Sequence, residues 1–439
     1  MSTFRSSLSS APYRFGSLTI LLYFASWGIW WSFFQIWLTS EAGGLQLTGS
    51  EVGTVYSATS AAALGAMLLY GTVQDRLDLR RHLTIGIAAL MTLVGPFVLW
   101  VYRPLLEHSF GLGVALGAVF LAAAFVGSTG LIEAFVERLS RRFDFEFGQA
   151  RMWGSAGYAV VALAAGFLFA IDPALNFWAG SVIGLALLLI QILWRPSRED
   201  TSEVVASTVP EHTPSLRDML GLLRLRSLWI VIVFVILSWT FYTVYDQQMF
   251  PDYYTSLFAT QERGQQVYGT LNSAQVFLEA LMMGLVPVLM RKVGVRTTLL
   301  LGVGVMFVRI LATGLLDDPA LVSIVKMLHA FEVPLFVLGI FRYITLHFRT
   351  ELSATLYLVG FNISAQIGVV VLSSPLGILR DKLGYQPTFL VIAGVVALAG
   401  IWALAMLERD DRSVHGDQFL RDGDAQRAET TTHREEIDA

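Results

Sequence analysis

Residues Leu321–Phe341 read LVSIVKMLHAFEVPLFVLGIF, an apolar stretch of membrane-spanning length that puts Lys326, His329 and Glu332 on one side of a single helix. A charged side chain near the centre of a bilayer is expensive, so such residues line substrate or proton pathways or pair with one another. The stretch is one of twelve of similar length in the 439-residue chain. Several others, including Ser17–Leu38, Leu83–Val101, Asn176–Trp194 and Thr388–Met406, carry no charge at all. Composition agrees: 15% of residues are charged, against roughly 25% in a soluble domain, and mean hydropathy is +0.61. An ordinary soluble fold is excluded. The expectation is an all-α membrane protein with twelve transmembrane helices.

Topology follows from the basic residues. With a cytoplasmic N-terminus, 24 of the 30 Lys and Arg fall in cytoplasmic segments, four fall outside, and Arg309 and Lys326 lie within the membrane. An even number of spans returns the C-terminus to the cytoplasm. The first span has no small-residue cleavage site after it, so it reads as a retained helix. Cysteine is absent, which removes disulfides, thiol catalysis and Cys-ligated metals.

The polar, proline-bearing stretch Arg195–Arg226 divides the chain into halves of six spans. The expected organisation is a six-helix bundle over residues 1–194, a cytoplasmic linker over 195–226, a second six-helix bundle over 227–407 and a disordered charged tail over 408–439. That tail has ten acids against five arginines, so it alone carries the net negative charge. The halves echo one another. GTVQDRLDLRR after the second span, with Asp75, Arg76 and Arg80, is matched by PVLMRKVGVRT after the eighth and by Gly377, Asp381, Lys382 and Gly384 after the eleventh. Matching segments in two halves mark secondary transporters, whose site lies between the halves near the midplane.

The intramembrane charges can be ranked by depth at 1.5 Å per residue. Asp246 lies ~6 Å and Lys326 ~8 Å from the outer ends of their spans, which suggests a direct structural pair. Losing one partner of such a pair should then harm more than losing both. Arg309, His329, Glu332 and Glu279 sit deeper, at roughly 10–20 Å. A carboxylic acid carries a proton when neutral, and a nearby arginine favours its ionised form. A Glu332 whose distance from Arg309 changes with conformation would therefore take up and release a proton. Pro334 removes a backbone donor and should bend the helix.

In the first half, Glu133 ends the fourth span and Arg151 begins the fifth, at similar depth. Tyr158 follows Arg151 by two helical turns on the same face. An acid that accepts from hydroxyls, an arginine that donates as a planar fork, and an aromatic ring that stacks on C–H faces suit a sugar. The competing interpretation is an ion pair that sets topology at the membrane edge, since hydropathy places Glu133 and Arg151 near the cytoplasmic surface.

GTVQDRLDLRR resembles the loop signature of the major facilitator superfamily, G-x-x-x-D-R-x-G-R-R, with Asp78 where glycine is usual. EAFVERLSRR and FEFGQARMWGSAGYA around Glu133 and Arg151, FYTVYDQQMFP in the seventh span and VKMLHAFEVPLFVLGIFRYI in the tenth resemble the lactose permease group of oligosaccharide:proton symporters. The resemblance covers the chain apart from its tail and implies two bundles with alternating access. Carried over by motif, it implies sugar binding by Glu133, Arg151, Tyr158 and His329, proton handling by Arg309, His329 and Glu332, and a structural charge pair of Asp246 with Lys326; Glu279 joins the sugar-site candidates as a substitute for the family's eighth-span glutamate. Thr243 and Ala365 replace an Asp–Lys pair of the lactose type, and Val276 replaces its glutamate, with Glu279 one turn on. LNSAQVFLEA (Leu271–Ala280) and GFNISAQIGVVVLSSPLGIL (Gly360–Leu379) resemble the sucrose permease branch.

The resulting expectation is a proton-coupled disaccharide importer of a bacterial-type inner membrane, most simply for sucrose. Lactose, melibiose or another oligosaccharide is the alternative cargo. A membrane sugar sensor, an intramembrane enzyme using Glu279 and Glu332, and an uncoupled facilitator are the rival classes. The expected partners are a disaccharide, protons and the lipid bilayer, with no nucleic acid. No cofactor beyond the transported proton and no metal is expected, and the chain is expected to work as a monomer.

Overall fold

A computed structural model describes residues 10–41, 43–77, 81–143, 145–194, 221–348 and 353–410. Asp78 and Arg80 of the loop motif, most of the 195–226 linker and the tail beyond 410 lie outside the described residues, as do the side chains of Asp75 and Arg76. Among the described residues, eleven helices are long and apolar enough to cross a membrane, and one bent pair supplies a twelfth span.

In chain order these are α1 (Ala11–Thr39), α2 (Gly49–Leu77), the bent pair α3 (His82–Thr92 with Val94–His108), α4 (Phe110–Arg142), α5 (Phe147–Ile171), α6 (Ala174–Leu193), α7 (Arg226–Gln248), α8 (Gln261–Val293), α9 (Val295–Leu315), α10 (Pro319–His347), α11 (Thr355–Leu383) and α12 (Tyr385–Met406). A short helix, Phe250–Ser256, joins α7 to α8.

Local chemistry explains the departures from straight helices. The expected third span, Leu83–Val101, is kinked by 50° at Leu93. Pro96 has no N–H to give the Thr92 carbonyl, and Leu93 turns back to bond Leu90 at 2.9 Å. In α10 the regular helix is interrupted at Met327–Leu328, where each N–H bonds three residues back at 3.1 Å. The interruption therefore lies between Lys326 and His329, ahead of Pro334, where a bend was expected. Wider π-helical turns interrupt α3 at Val98–Tyr102, α4 at Ala122–Val126, α7 at Ile236–Thr240 and α11 at Leu358–Ile363.

The two halves meet along α2 against α11 and α5 against α8, at the end where α1 finishes and α2 begins. Glycine permits both approaches. A Cβ on Gly377 would overlap the Gly49 carbonyl, and one on Gly166 would lie 3.1 Å from the Gly269 Cα. Hydrogen bonds reinforce this end. The Asp381 carboxylate accepts the Gly49 and Ser50 N–H groups at 2.7 and 2.8 Å, capping the start of α2. Gln35 Oε1 accepts the Asp252 N–H at 3.0 Å, and Ser57 donates to the Val370 carbonyl at 2.9 Å. Towards the other end of the same helices, a Cβ at Gly65, Gly71 or Gly284 would meet nothing within 4 Å. The bundles are thus joined at the end that carries Gly49, Gly377 and Asp381.

Candidate functional site

A cavity of about 310 Å³ lies between the halves. Helix α1 gives it Phe24, Trp27 and Trp31, α5 gives Arg151 and Tyr158, and α8 gives Asn272, Gln275, Val276 and Glu279. Asp246 of α7 and His329 of α10 complete the polar side. Four of the five sugar-site candidates, Arg151, Tyr158, Glu279 and His329, therefore share one space. Glu133 does not line the cavity.

Glu133 nevertheless meets Arg151, as their similar depth suggested. Its Oε1 accepts the Arg151 Nε–H at 2.5 Å. Regular helix carries α4 on to Arg142, so Glu133 sits more than two turns from that end. The guanidinium lies 4.3 Å over the Phe24 ring, a geometry that adds cation–π attraction to the ion pair. With Nε committed to Glu133, the two terminal nitrogens have no hydrogen-bond partner among the described residues. Glu133 therefore holds the guanidinium in place, and Arg151 presents free donors beside the cavity. Tyr158 packs so closely on α1 that a Cβ at Gly28 would come within 2.6 Å of its ring.

The second half holds a compact charge cluster. Arg309 is fully buried and forks between two acids, with Nη1 on Glu332 Oε1 and Nη2 on Asp246 Oδ1, both at 2.5 Å. Such planar, bidentate reach is what separates arginine from lysine. Glu332 is fully buried too, and its Oε2 has no hydrogen-bond partner among the described residues. The imidazole of His329 stands at the junction. Its Nδ1 lies 3.1 Å from Arg309 Nη1, 2.5 Å from the Tyr242 hydroxyl, and 3.4 Å from both Asp246 and Glu332. Arginine only donates, so that contact is a hydrogen bond when Nδ1 holds the lone pair. The ring proton then sits on Nε2, which faces Glu279 Oε2 at 3.8 Å. His329 thus links the cavity acid Glu279 to the buried Arg309–Glu332 pair.

One expectation is corrected. Asp246 and Lys326 do not form the direct pair that equal depth suggested. Asp246 belongs to Arg309. Lys326 donates to Gln275 Oε1 at 2.7 Å and lies 5.2 Å from the Phe250 ring and 5.0 Å from the Tyr268 ring. Depth along two helices fixes only one coordinate, and the deeper Arg309 has the reach to claim the acid. The compensation expected of a direct pair is accordingly withdrawn. Asp246→Asn should impair transport, and adding Lys326→Met should not restore it, because the orphaned group is half of the Arg309 fork. Transport in the double variant above that of Asp246→Asn would reinstate the direct pair.

Other departures from the lactose-type pattern are self-contained. Thr243 donates to the Trp239 carbonyl of its own helix at 2.7 Å. Sequence reasoning missed Trp27, Trp31, Asn272 and Gln275 as cavity residues, and Tyr242 as a partner of His329. The spacing of Trp27 and Trp31, four apart in an aromatic run, and of Asn272, Gln275 and Glu279 on one face of α8 was the available signal.

Comparison with known proteins decides the family. The LacY proton/sugar symporter family matches residues 6–418. The chain belongs to that family. A sucrose permease of Escherichia coli is 40% identical over 91% of this chain and 94% of its own length. A raffinose permease of the same organism is 36% identical over 91% and 93%, and a lactose permease of Klebsiella oxytoca is 36% identical over 84% and 87%. Among solved structures, the nucleoside transporter NupG superposes with a TM-score of 0.77 at 14% identity, covering 91% of this chain and all of that one. The Escherichia coli xylose transporter XylE gives 0.62 at 13%, covering 92% and 97%. Both show the major facilitator fold alone. As a LacY-family member the protein is a proton-coupled sugar symporter, a multi-pass transporter of the bacterial inner membrane rather than an enzyme.

Proposed function

We propose that this symporter imports sucrose, with Arg151 as the principal sugar-binding group, Glu133 as its anchor, Tyr158 as a stacking ring, and Glu279 and His329 as further polar contacts. Glu332, Arg309 and His329 handle the proton. The observation that carries this reading is the cavity itself. It joins a charged donor and aromatic faces on one half to Glu279 and His329 on the other, and His329 also touches the proton-handling cluster. The 40% identity to a sucrose permease supports the choice of sugar, as do Thr243, Ala365 and Val276 in place of the lactose-type charges.

The end joined by Gly49, Gly377 and Asp381 is the outer face in this reading. The described state is then closed on the outer side. In the alternate state α2 parts from α11, and α5 from α8, to admit sugar from outside while Glu332 is protonated.

Cells expressing the protein should accumulate sucrose in preference to lactose, with alkalinisation of a weakly buffered medium on sucrose addition. A site built around hydroxyl partners discriminates steeply when one is missing. Glu279→Gln should lose sucrose uptake, and Val276→Glu should not fully restore it, because the acid would stand one turn from its place on α8. Robust lactose accumulation without sucrose uptake, in the same cells and at the same pH, would overturn the choice of sugar and leave the symporter intact.

A further inference from the structure

Gln275 and Lys326 form a buried unit beside the sugar cavity to which neither proton handling nor the Arg151 site assigns a role. Gln275 is 3% exposed and Lys326 2% exposed, yet Gln275 lines the cavity. No carboxylate lies within 4.0 Å of the Lys326 ammonium among the described residues. Its hydrogen-bond acceptor is Gln275 Oε1 at 2.7 Å, and its remaining close neighbours include the faces of Phe250 and Tyr268.

This arrangement settles which way the amide points. In its charged form Lys326 has three donors and no acceptor. Turning the Gln275 amide over would set its NH2 against the NH3+ of Lys326, donor against donor. The carbonyl oxygen is therefore locked onto Lys326, and Nε2 is directed elsewhere, with no hydrogen-bond partner among the described residues. A glutamine in a polar cavity is normally ambiguous, because either end of the amide can face a ligand. Here the lysine removes the ambiguity. A charge-assisted bond at the oxygen also polarises the amide and strengthens its N–H donors.

We propose that Gln275 is a specificity-determining sugar contact that acts only as a donor, and that Lys326 is the positioning residue that makes it so. Its target is a sugar oxygen in the role of acceptor: a ring oxygen, a glycosidic oxygen or a hydroxyl. Glu279 stands one turn further along the same face of α8, about 6 Å by helical rise. As a carboxylate it only accepts. The α8 face therefore offers a donor and an acceptor in fixed order, a pattern that distinguishes one arrangement of neighbouring sugar oxygens from its reverse. Lys326 is thereby an organiser of the sugar site, not the partner of Asp246. The inference rests on the sugar reading of this cavity and does not depend on which disaccharide is carried.

Two substitutions separate donor from anchor. Gln275→Glu keeps an acceptor for Lys326 and deletes the donor, whereas Gln275→Met deletes both. Equilibrium dissociation constants are to be measured on purified full-length protein for sucrose, raffinose, lactose and melibiose, using for the variants each sugar that the wild type binds. Both variants should bind at least about tenfold more weakly, because a polar group of the ligand is left without its partner. Lys326→Met should weaken binding alone but change it less than about twofold in the Gln275→Met background, the behaviour of a residue acting through another. Wild-type affinity in Gln275→Glu would overturn the donor role and leave Gln275 as an anchor for Lys326. A full additional loss from Lys326→Met in the Gln275→Met background would overturn the positioning role. Should one Gln275 variant fail to fold, the other decides the contact. Wild-type binding of raffinose but not sucrose would refute the sucrose reading and leave Gln275 testable on raffinose. Binding of none of the four would end both.

Discussion

Glu332→Gln should still bind and exchange sugar across the membrane but lose uphill accumulation altogether. Glu332 lies in a fully buried position with one oxygen on Arg309 at 2.5 Å and the other without a hydrogen-bond partner among the described residues. A charge held in that setting is tolerable only while the guanidinium stays against it. If Arg309 withdraws towards Asp246, its second acid, Glu332 is left as an isolated buried anion and takes a proton. When Arg309 returns, the proton is released. Because Arg309 forks between two acids, it can keep its ion pair with Asp246 while it gives up the one with Glu332. Glutamine has the shape of the protonated acid and cannot ionise, so the variant should be locked in the protonated form. Exchange needs only the return of the loaded protein, and it should run at near wild-type rate. Net accumulation needs deprotonation on the inside, and internal sugar should rise no higher than external. Counterflow and uphill uptake measured in the same membranes separate the two. Accumulation above the external concentration in Glu332→Gln would move the transported proton to another group.

The spans and the midplane cluster were legible in the sequence for one reason. Apolar runs long enough to cross a bilayer are hard to explain otherwise, and each charge inside them stands out against its neighbours. Arg309, His329 and Glu332 were recognisable because nothing apolar around them could justify them. Contact partners were less legible, because hydropathy reports depth and says little about azimuth. Asp246 and Lys326 have nearly equal depth, yet Arg309 takes the acid and Gln275 takes the lysine. Irregular turns are the physical source of this. Faces projected at 3.6 residues per turn do not carry across the π-helical turn at Ile236–Thr240 or the tighter turn at Met327–Leu328. Neutral polar residues were the least visible. Asn272 and Gln275 cost little in a helix, so they raise no alarm in a sequence, and they gain meaning only when the cavity and Lys326 are placed beside them. The aromatic wall of α1 was hidden for the opposite reason, since Trp27 and Trp31 sit in a run where nearly every residue is aromatic or small.

Arg151→Ala and Glu133→Ala should each abolish measurable sugar binding while leaving the protein folded, and the reason differs between them. Arg151 offers two terminal nitrogens without hydrogen-bond partners among the described residues, and its planar fork suits adjacent hydroxyls. Hydrogen bonds to a charged group contribute about 1.5–3 kcal/mol each. Losing two of them weakens affinity by about 100-fold or more, beyond the range of most sugar-binding assays. Lysine is not a substitute, because a single ammonium on a flexible stem cannot reproduce the fork, so Arg151→Lys should fail as well. Glu133 is absent from the cavity wall and acts through Arg151. Its carboxylate fixes Nε at 2.5 Å and keeps the guanidinium over Phe24. Without it the arginine is free to turn towards water, and the ordering that the ion pair supplied in advance must be met on binding. Glu133→Gln retains an acceptor for Nε and should keep partial affinity. Arg151→Gln offers only one amide donor group and should not. Equilibrium binding on purified protein is the decisive measurement, since uptake also fails for reasons of turnover, and a thermal melt on the same samples reports folding. Near wild-type affinity in Glu133→Ala or Arg151→Ala would return the pair to a structural role at the membrane edge. The sugar would then be held chiefly by Glu279, His329 and the donor on Gln275.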